Sequence, residues 1–366
     1  MSNTIGIYIH IPFCRSKCPY CDFFSMRGNI NEYKNYVEIL KDKIIYWSKK
    51  INKTVDTVYI GGGTPSVLGD ELIFDIIKCV KDNFNVMDNA EITIEVNPSS
   101  GKFMDFSRLN KIGLNRVSLG LQSANNNELK QLGRIHSLDD VKNTVNLIKG
   151  AGINNISLDI MLGVPEQTIE SLKNTIDFCV KSDVKHISSY ILKIEENTYY
   201  YKKINKYRFP DEELVSDLYL FAVDYLDKNG FKQYEISNFS KSGYESKHNL
   251  KYWNLDDYIG IGPSAHSFVD NKRFYYGRSV EDFKNNIIIN DGFGGDNEEY
   301  IMLKLRLKSG LNINEYKKAF GENLSKDFFD KVDLYCKSGY LSFKDDTVSF
   351  TPKGFLVSNS IISELI

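Results

Sequence analysis

The chain has 366 residues, 42% of them hydrophobic, enough for one large domain with a smaller companion. Its 46 Lys and Arg balance 48 Asp and Glu to a formal charge of −2 and are spread along the chain, so no nucleic-acid partner is expected. No apolar run is long enough for a transmembrane helix, and the opening MSNTIGIYIHIPFC lacks a basic region and a small-residue cleavage site, so a cytoplasmic location is expected.

In chain order, short β-rich runs alternate with amphipathic stretches. GIYIHI (6–11) reads as the first strand and leads into IPFCRSKCPYCDFFS. A helix is predicted from Asn31 to about Lys49, from the apolar spacing of Tyr33, Tyr36, Val37, Leu40, Ile44 and Trp47. TVYI (57–60) is the second strand and runs straight into GGGTPS; a helix over 70–83 follows. EITIEV (91–96), RVSLG (116–120), NISLDI (155–160) and HISSYI (186–191) continue the strands, with helices over 137–150 and 168–182. Such alternation predicts parallel βα units. No G-x-G-x-x-G follows the first strand, which disfavours a dinucleotide-binding domain. Glu95, Gln122 and Asp159 fall towards strand C-terminal ends, where parallel barrels place their chemistry. Six strands predict a partial (β/α)6 barrel over 1–235, with a full eight-stranded barrel as the alternative.

The rhythm fades after a long helix at 211–231. Residues 236–295 read as a loop-rich connection carrying KHNLKYWN (247–254) and GIGPSAHSF (260–268). Residues 296–366 read as a small, mostly helical domain with one hairpin near Asp345, winged-helix-like in outline. Ten basic against eleven acidic residues there argue against DNA binding, and a packing or lid role is expected.

Three of the six cysteines, Cys14, Cys18 and Cys21, lie within eight residues. In a reducing compartment such a cluster points to a metal or redox site before a disulfide framework. Structural zinc takes four ligands, and only His10, inside the first strand, is near enough in sequence to be a fourth. An iron–sulfur cluster held by three thiolates leaves one iron open for a small molecule. Cys79, Cys179 and Cys336 are isolated in helical stretches and read as buried structural thiols.

Cys14-x-x-x-Cys18-x-x-Cys21 after a first strand, with GGGTP ending the second, resembles the radical S-adenosylmethionine (SAM) superfamily. YIHIPFCRSKCPYCDF, VYIGGGTPS, ITIEVNP, VSLGLQS, LGRIHS and LDIMLGVPEQT resemble, in order, the blocks of its coproporphyrinogen dehydrogenase-like branch and, within it, the HemW family of heme chaperones. The resemblance covers about residues 5–366. It implies that the three cysteines hold three irons of a [4Fe–4S] cluster and that the SAM amino and carboxylate groups chelate the fourth. It implies that Gly62, Gly63 and Thr64 grip SAM with their backbone and that Glu95 bonds its ribose. Gln122, Arg134 and Asp159 match its remaining SAM contacts, and Tyr8 and Tyr20 its flanking aromatics.

The resemblance also weighs an enzyme against a carrier. The oxygen-independent coproporphyrinogen III dehydrogenase carries another cysteine two residues after the third; here Phe23 stands there. It also carries an N-terminal extension before the first strand, which here starts at about Ile5. HNLKYW (248–253) resembles the H-N-x-x-Y-W element implicated in heme handling, which makes His248, Asn249, Tyr252 and Trp253 candidates for heme binding. His266 is a second imidazole, read as a core or loop residue before a ligand. The expected function is a heme chaperone that binds cluster, SAM and heme without dehydrogenase activity. The resemblance further implies acceptor hemoproteins, respiratory or membrane-associated ones among them, and a homodimer.

Overall fold

The computed structural model describes residues 3–366. The first part runs β1 (Thr4–Ile11), α1 (Ile30–Ser48), β2 (Thr54–Gly62), α2 (Gly69–Asn83), β3 (Val86–Val96), the short α3 (Pro98–Gly101) and α4 (Phe106–Lys111), then β4 (Arg116–Gln122). It continues with the short α5 (Asn126–Gln131), α6 (Leu138–Gly150), β5 (Asn155–Leu162), α7 (Ile169–Lys181), β6 (His186–Ile191), the short α8 (Tyr199–Lys202) and α9 (Glu212–Lys228). The middle part holds β7 (Lys232–Gln233), β8 (Asn238–Ser240), α10 (Lys247–Asn254), β9 (Tyr258–Ile261), β10 (His266–Val269), β11 (Lys272–Tyr276), α11 (Val280–Lys284) and β12 (Ile288–Phe293). The C-terminal part holds α12 (Asn297–Lys304), β13 (Leu311–Asn312), α13 (Ile313–Phe320), α14 (Lys326–Lys337), β14 (Leu341–Lys344), β15 (Thr347–Phe350), α15 (Pro352–Leu356) and α16 (Ser358–Leu365).

One 12-stranded sheet has the order β12-β11-β10-β9-β1-β2-β3-β4-β5-β6-β8-β7. β1 to β6 pair in parallel, as the alternation predicts. β9 adds a further parallel strand on the other side of β1. Residues 236–295 are therefore not a loop-rich connection: they supply five strands and two helices and extend the sheet. The strands are four or fewer residues long in β8, β9 and β10, too short for their period to show against the surrounding Gly, Ser and Asn. The three-stranded sheet β13-β15-β14 and the helices around it form the C-terminal part, joined to the barrel by an antiparallel bridge between Glu235 and Leu307.

The two faces of the sheet differ sharply. On the outer face Ile7, Ile9, Val58, Ile60, Ile94, Val117, Leu119, Leu158 and Ile160 are fully or almost fully buried. They pack under Tyr36, Leu40 and Ile44 of α1, Ile73 and Ile77 of α2, Val141 and Ile148 of α6, and Leu172 and Ile176 of α7. Capping boxes at Asn29, Ser137 and Thr168 fix where three of these helices start. The inner face carries the alternate residues: Gly6, Tyr8 and His10; Thr57 and Tyr59; Glu91, Thr93 and Glu95; Arg116 and Ser118; Ser157 and Asp159; His186 and Ser188. A lumen of this polarity is not a packed aliphatic core. Thr93 Oγ1, Arg116 Nε and Asn155 Oδ1 are buried there without a partner, as in a chamber that holds water or a ligand.

α10 closes the base of this lumen. Its first N–H groups, from Lys247 and His248, donate to the Glu91 carboxylate of β3, which caps the helix from outside. Lys251 pairs with Asp56 at 2.8 Å. β1 leaves room for the helix at Gly6, where a Cβ would meet the Lys251 and His248 side chains at 2.9 and 3.2 Å.

Candidate functional site

The C-terminal ends of β1 to β5 form one mouth. The cysteine loop leaves β1 there and is tied back by Cys14 N–H to Met26 O and Met26 N–H to Pro12 O, at 2.9 and 2.7 Å. His10 supports the same loop from below: Nδ1 accepts from the Tyr8 hydroxyl at 3.0 Å, which leaves Nε2–H to donate to Phe24 O at 3.3 Å. Burial pushes the His10 imidazole down to about 4, so it stays neutral in this role. With both nitrogens used inside the fold, His10 is not arranged as a fourth ligand. All three cysteines are half-buried free thiols. Burial is also the main cause that raises Cys21.

Gly63 shows how tightly the second strand's end fits against this loop. A Cβ there would lie 2.7 Å from Phe13 O, 2.9 Å from Ile11 O and 3.1 Å from Cys14 Sγ. Gly62 has φ +109, a conformation open to glycine at little cost. Thr64 Oγ1 lies 3.3 Å from Cys14 Sγ.

Beside the loop, Gly63, Thr64, Glu95, Asn97, Ser118, Gly120, Gln122, Arg134 and Asp159 line an open polar cleft of about 100 Å³. Glu95 accepts from the Tyr59 hydroxyl at 2.9 Å and from Gly62 N–H at 3.1 Å. Burial, reinforced by Asp159, nonetheless raises its carboxyl to about 7. Asp159 is raised too, by burial first, and accepts from Ser118 at 2.9 Å. Gln122 has φ +67 at an irregularity in the β4–β5 ladder, a backbone cost that aims its side chain into the mouth beside Gly120. The Arg134 guanidinium lies 5.8 Å from the Tyr20 ring centre, and its Nε is buried without a partner. An unpaired guanidinium N–H and a cradle that a Cβ would fill fit a small ligand with a carboxylate.

The structure thus brings Cys14, Cys18, Cys21, Gly62, Gly63, Thr64, Glu95, Gln122, Arg134 and Asp159 to one mouth, with Tyr20 beside it and Tyr8 on the lumen wall. It does not bring the HNLKYW residues there. His248 lies on a helix and is fully buried. Its Nδ1 meets Thr57 Oγ1 and its Nε2 the Tyr252 hydroxyl, both at 2.8 Å. Its ring stacks on Tyr59 at 5.3 Å, and burial drives it down to about 3. Both ring nitrogens are thus hydrogen-bonded within the fold in this arrangement. Asn249 and Trp253 are half-buried on the same helix, with Trp253 Nε1 buried and unpaired. Phe23 is 71% exposed and does not line the cleft. The sequence reading did not single out Tyr59, which hydrogen-bonds Glu95, or Ser118, which hydrogen-bonds Asp159; the inward parity of TVYI and RVSLG was the available signal.

Comparison with known proteins agrees with this geometry. Residues 8–179 match the Radical SAM superfamily and residues 297–357 the HemN C-terminal domain. The solved coproporphyrinogen III oxidase HemN from Escherichia coli, described as a radical SAM enzyme, superposes with a TM-score of 0.84 at 18% identity, over 100% of this chain and 90% of that one. Fold and site together define a radical SAM protein, a fold that implies a [4Fe–4S] cluster and SAM. Among curated relatives, "Heme chaperone HemW" of Buchnera aphidicola (Acyrthosiphon pisum strain) is 34% identical over 98% of this chain and 97% of its own length. Those of Escherichia coli K12 and Bacillus subtilis 168 are 32% and 31% identical over 98% of this chain and 97% and 98% of theirs. The chain belongs to the HemW family.

Proposed function

We propose that this protein is a heme chaperone that binds a [4Fe–4S] cluster, SAM and heme and delivers heme to acceptor hemoproteins. The observation that carries this reading is end-to-end similarity to relatives named heme chaperone HemW. It is supported by Phe23, an exposed aromatic ring where the coproporphyrinogen dehydrogenase has a cysteine.

In this reading Cys14, Cys18 and Cys21 hold three irons and leave one open. Arg134, with its unpaired Nε, and the backbone around Gly62 and Gly63 take the amino-acid end of SAM; Glu95 takes the ribose hydroxyls. A cationic ligand in the cleft favours the ionised form of Glu95, which Tyr59 and Gly62 already favour by hydrogen bonding. When bound, the cluster would supply one-electron chemistry to SAM, and these residues of the chain would orient the ligand. Among the described residues no helix is long and apolar enough to cross a membrane; the proposed acceptors include respiratory or membrane-associated hemoproteins. The reading carries a homodimer as a further expectation, checked by light scattering with and without the reconstituted cluster.

The deciding experiment is a pair of anaerobic assays. Heme titration should give saturable binding, and incubation with reductant, SAM and coproporphyrinogen III should give no protoporphyrinogen IX. Stoichiometric decarboxylation of the two propionates would replace the chaperone reading with the dehydrogenase.

A further inference from the structure

Two regions assigned to different ligands share one wall of the lumen. Glu95 lines the cleft at the mouth, and His248 of α10 sits at the base. β2 runs between them. Its pairing with β3 sets Thr57 beside Glu91 and Tyr59 beside Thr93, so Tyr59 stands one inward position below Glu95. Thr57 Oγ1 meets His248 Nδ1 at 2.8 Å. Tyr59 reaches both ways. Its hydroxyl donates to Glu95 Oε1 at 2.9 Å, and its ring lies on the His248 ring with centres 5.3 Å and planes 26° apart.

Tyr8 of β1 completes the stack. Its ring centre is 6.2 Å from that of Tyr59 and 6.5 Å from that of His248, with planes 30° and 32° apart. Its hydroxyl donates to His10 Nδ1, and His10 holds Phe24 O of the cysteine loop. The three rings therefore have His248 at their foot and are tied at the top to Glu95 and, through His10, to the cysteine loop. The fit around Tyr59 is close. A Cβ on Gly61 would lie 2.8 Å from Tyr59 Cε1 and 3.0 Å from Glu95 Oε1. Gly61 thus leaves open the slot in which hydroxyl and carboxyl meet.

Glu95 can hold Tyr59 with two strengths, because a hydrogen bond to an ionised acceptor is roughly twice as strong as one between neutral groups. Burial lifts Glu95 to about 7, so near neutral pH both forms are populated and a ligand decides between them. Tyr59 and Gly62 N–H of β2 and Arg116 of β4 favour the carboxylate, and Asp159 of β5 opposes it. The hydroxyls of Tyr8 on β1, Tyr190 on β6 and Tyr252 on α10 feel its charge as well. A ligand that brings a sulfonium and ribose hydroxyls into the cleft shifts Glu95 to the carboxylate and tightens its hold on Tyr59. At the base, His248 has both ring nitrogens bonded, to Thr57 and to Tyr252. To take iron it must release one of them and turn. A ring stacked against Tyr59 turns only if Tyr59 gives way.

Resting on the heme-carrier reading, with the HNLKYW residues as its heme-binding candidates, we propose that Tyr59 is a positioning residue that sets the two ligands against each other. SAM on Glu95 fixes Tyr59 against His248 and weakens heme binding at α10; heme bound there loosens Tyr59 and weakens SAM by the same factor. Loading the cleft thereby favours release of heme. The test uses full-length, cluster-loaded protein under anaerobic conditions without reductant, so that SAM stays intact. SAM affinity is measured by calorimetry and hemin affinity by Soret titration, each with and without saturating amounts of the other. In the wild type each ligand should weaken the other about fivefold or more, the lower end of ordinary coupling between sites. Tyr59→Phe keeps the ring and its stack and removes the hydroxyl. Both ligands should still bind, with the coupling reduced to about twofold or less. The pH at which SAM binding is half-developed should also move up, because Glu95 has lost a donor to its ionised form; a purely structural role would leave that midpoint in place. Thermal unfolding followed by circular dichroism checks that the variant folds. No coupling in the wild type, heme binding strengthened by SAM, coupling unchanged in Tyr59→Phe, or a pH midpoint that does not move would each overturn the proposal. Absence of saturable heme or SAM binding in the wild type would instead overturn the functional reading on which it rests.

Discussion

Gly63→Ala tests how the cysteine loop is held. The added Cβ would sit 2.7 Å from Phe13 O and 2.9 Å from Ile11 O, both main-chain atoms that no rotamer change can move. An ordinary C···O contact is about 3.3 Å or more, so the strand end and the loop must part by about 0.5 Å. Those same oxygens accept from Thr64 N–H and Gly63 N–H, each at 2.8 Å, and both bonds would stretch. Weakening two bonds that contribute about 0.5–1.5 kcal/mol each predicts a loss of about 1–3 kcal/mol in urea unfolding. The movement carries Cys14, whose Sγ would be 3.1 Å from the new methyl. Sites of this kind need their ligands placed to within about 0.5 Å, so iron incorporation on anaerobic reconstitution should fall well below the wild type. Stability and iron content equal to the wild type would show that the loop is not clamped by this contact.

Three further outcomes follow from the same geometry. Glu95 is raised by burial from 4.5 to about 7, so it favours the fold fully below its unfolded value and loses that contribution as pH rises through about 7; wild-type stability without SAM should drop by up to about 3 kcal/mol over that window, and Glu95→Gln should flatten the drop in unfolding curves taken across it. Arg134→Lys removes the unpaired Nε donor, and calorimetric SAM binding to cluster-loaded protein should weaken by roughly tenfold to a hundredfold; unchanged affinity would remove Arg134 from the ligand's partners. His248→Ala empties the base of the lumen and strips partners from Thr57 and Tyr252, so chemical denaturation should show a loss of about 3–5 kcal/mol, with His248→Gln losing less.

Much of the fold was legible because its signals are local. The helices now seen at Ile30–Ser48, Gly69–Asn83, Leu138–Gly150 and Ile169–Lys181 fall within a residue or so of the stretches that apolar spacing and caps predict. The two short helices between β3 and β4 were not anticipated; Pro98–Gly101 is one turn, too brief for a period to register. Cys336, expected to be buried, is half-buried on α14. The middle region was misjudged because its strands are short and one of them, β9, gains its partner from β1, more than 200 residues away.

The sequence by itself determined the cysteine loop, the glycine turn and the acids at the strand ends. Those residues work at fixed chain spacing or at the ends of strands whose period is written locally. It also placed the chain in its family. What only the tertiary structure decided is which imidazole faces outward. HNLKYW and GPSAHSF look alike as polar, aromatic segments with one histidine each. Sheet pairing turns the first into a buried plug under Gly6 and lifts the second onto the rim beside Tyr275. Burial is a property of what lies across the fold: His248 meets β1 and β2, His266 meets β9 and β11, and no local stretch of the chain specifies those meetings.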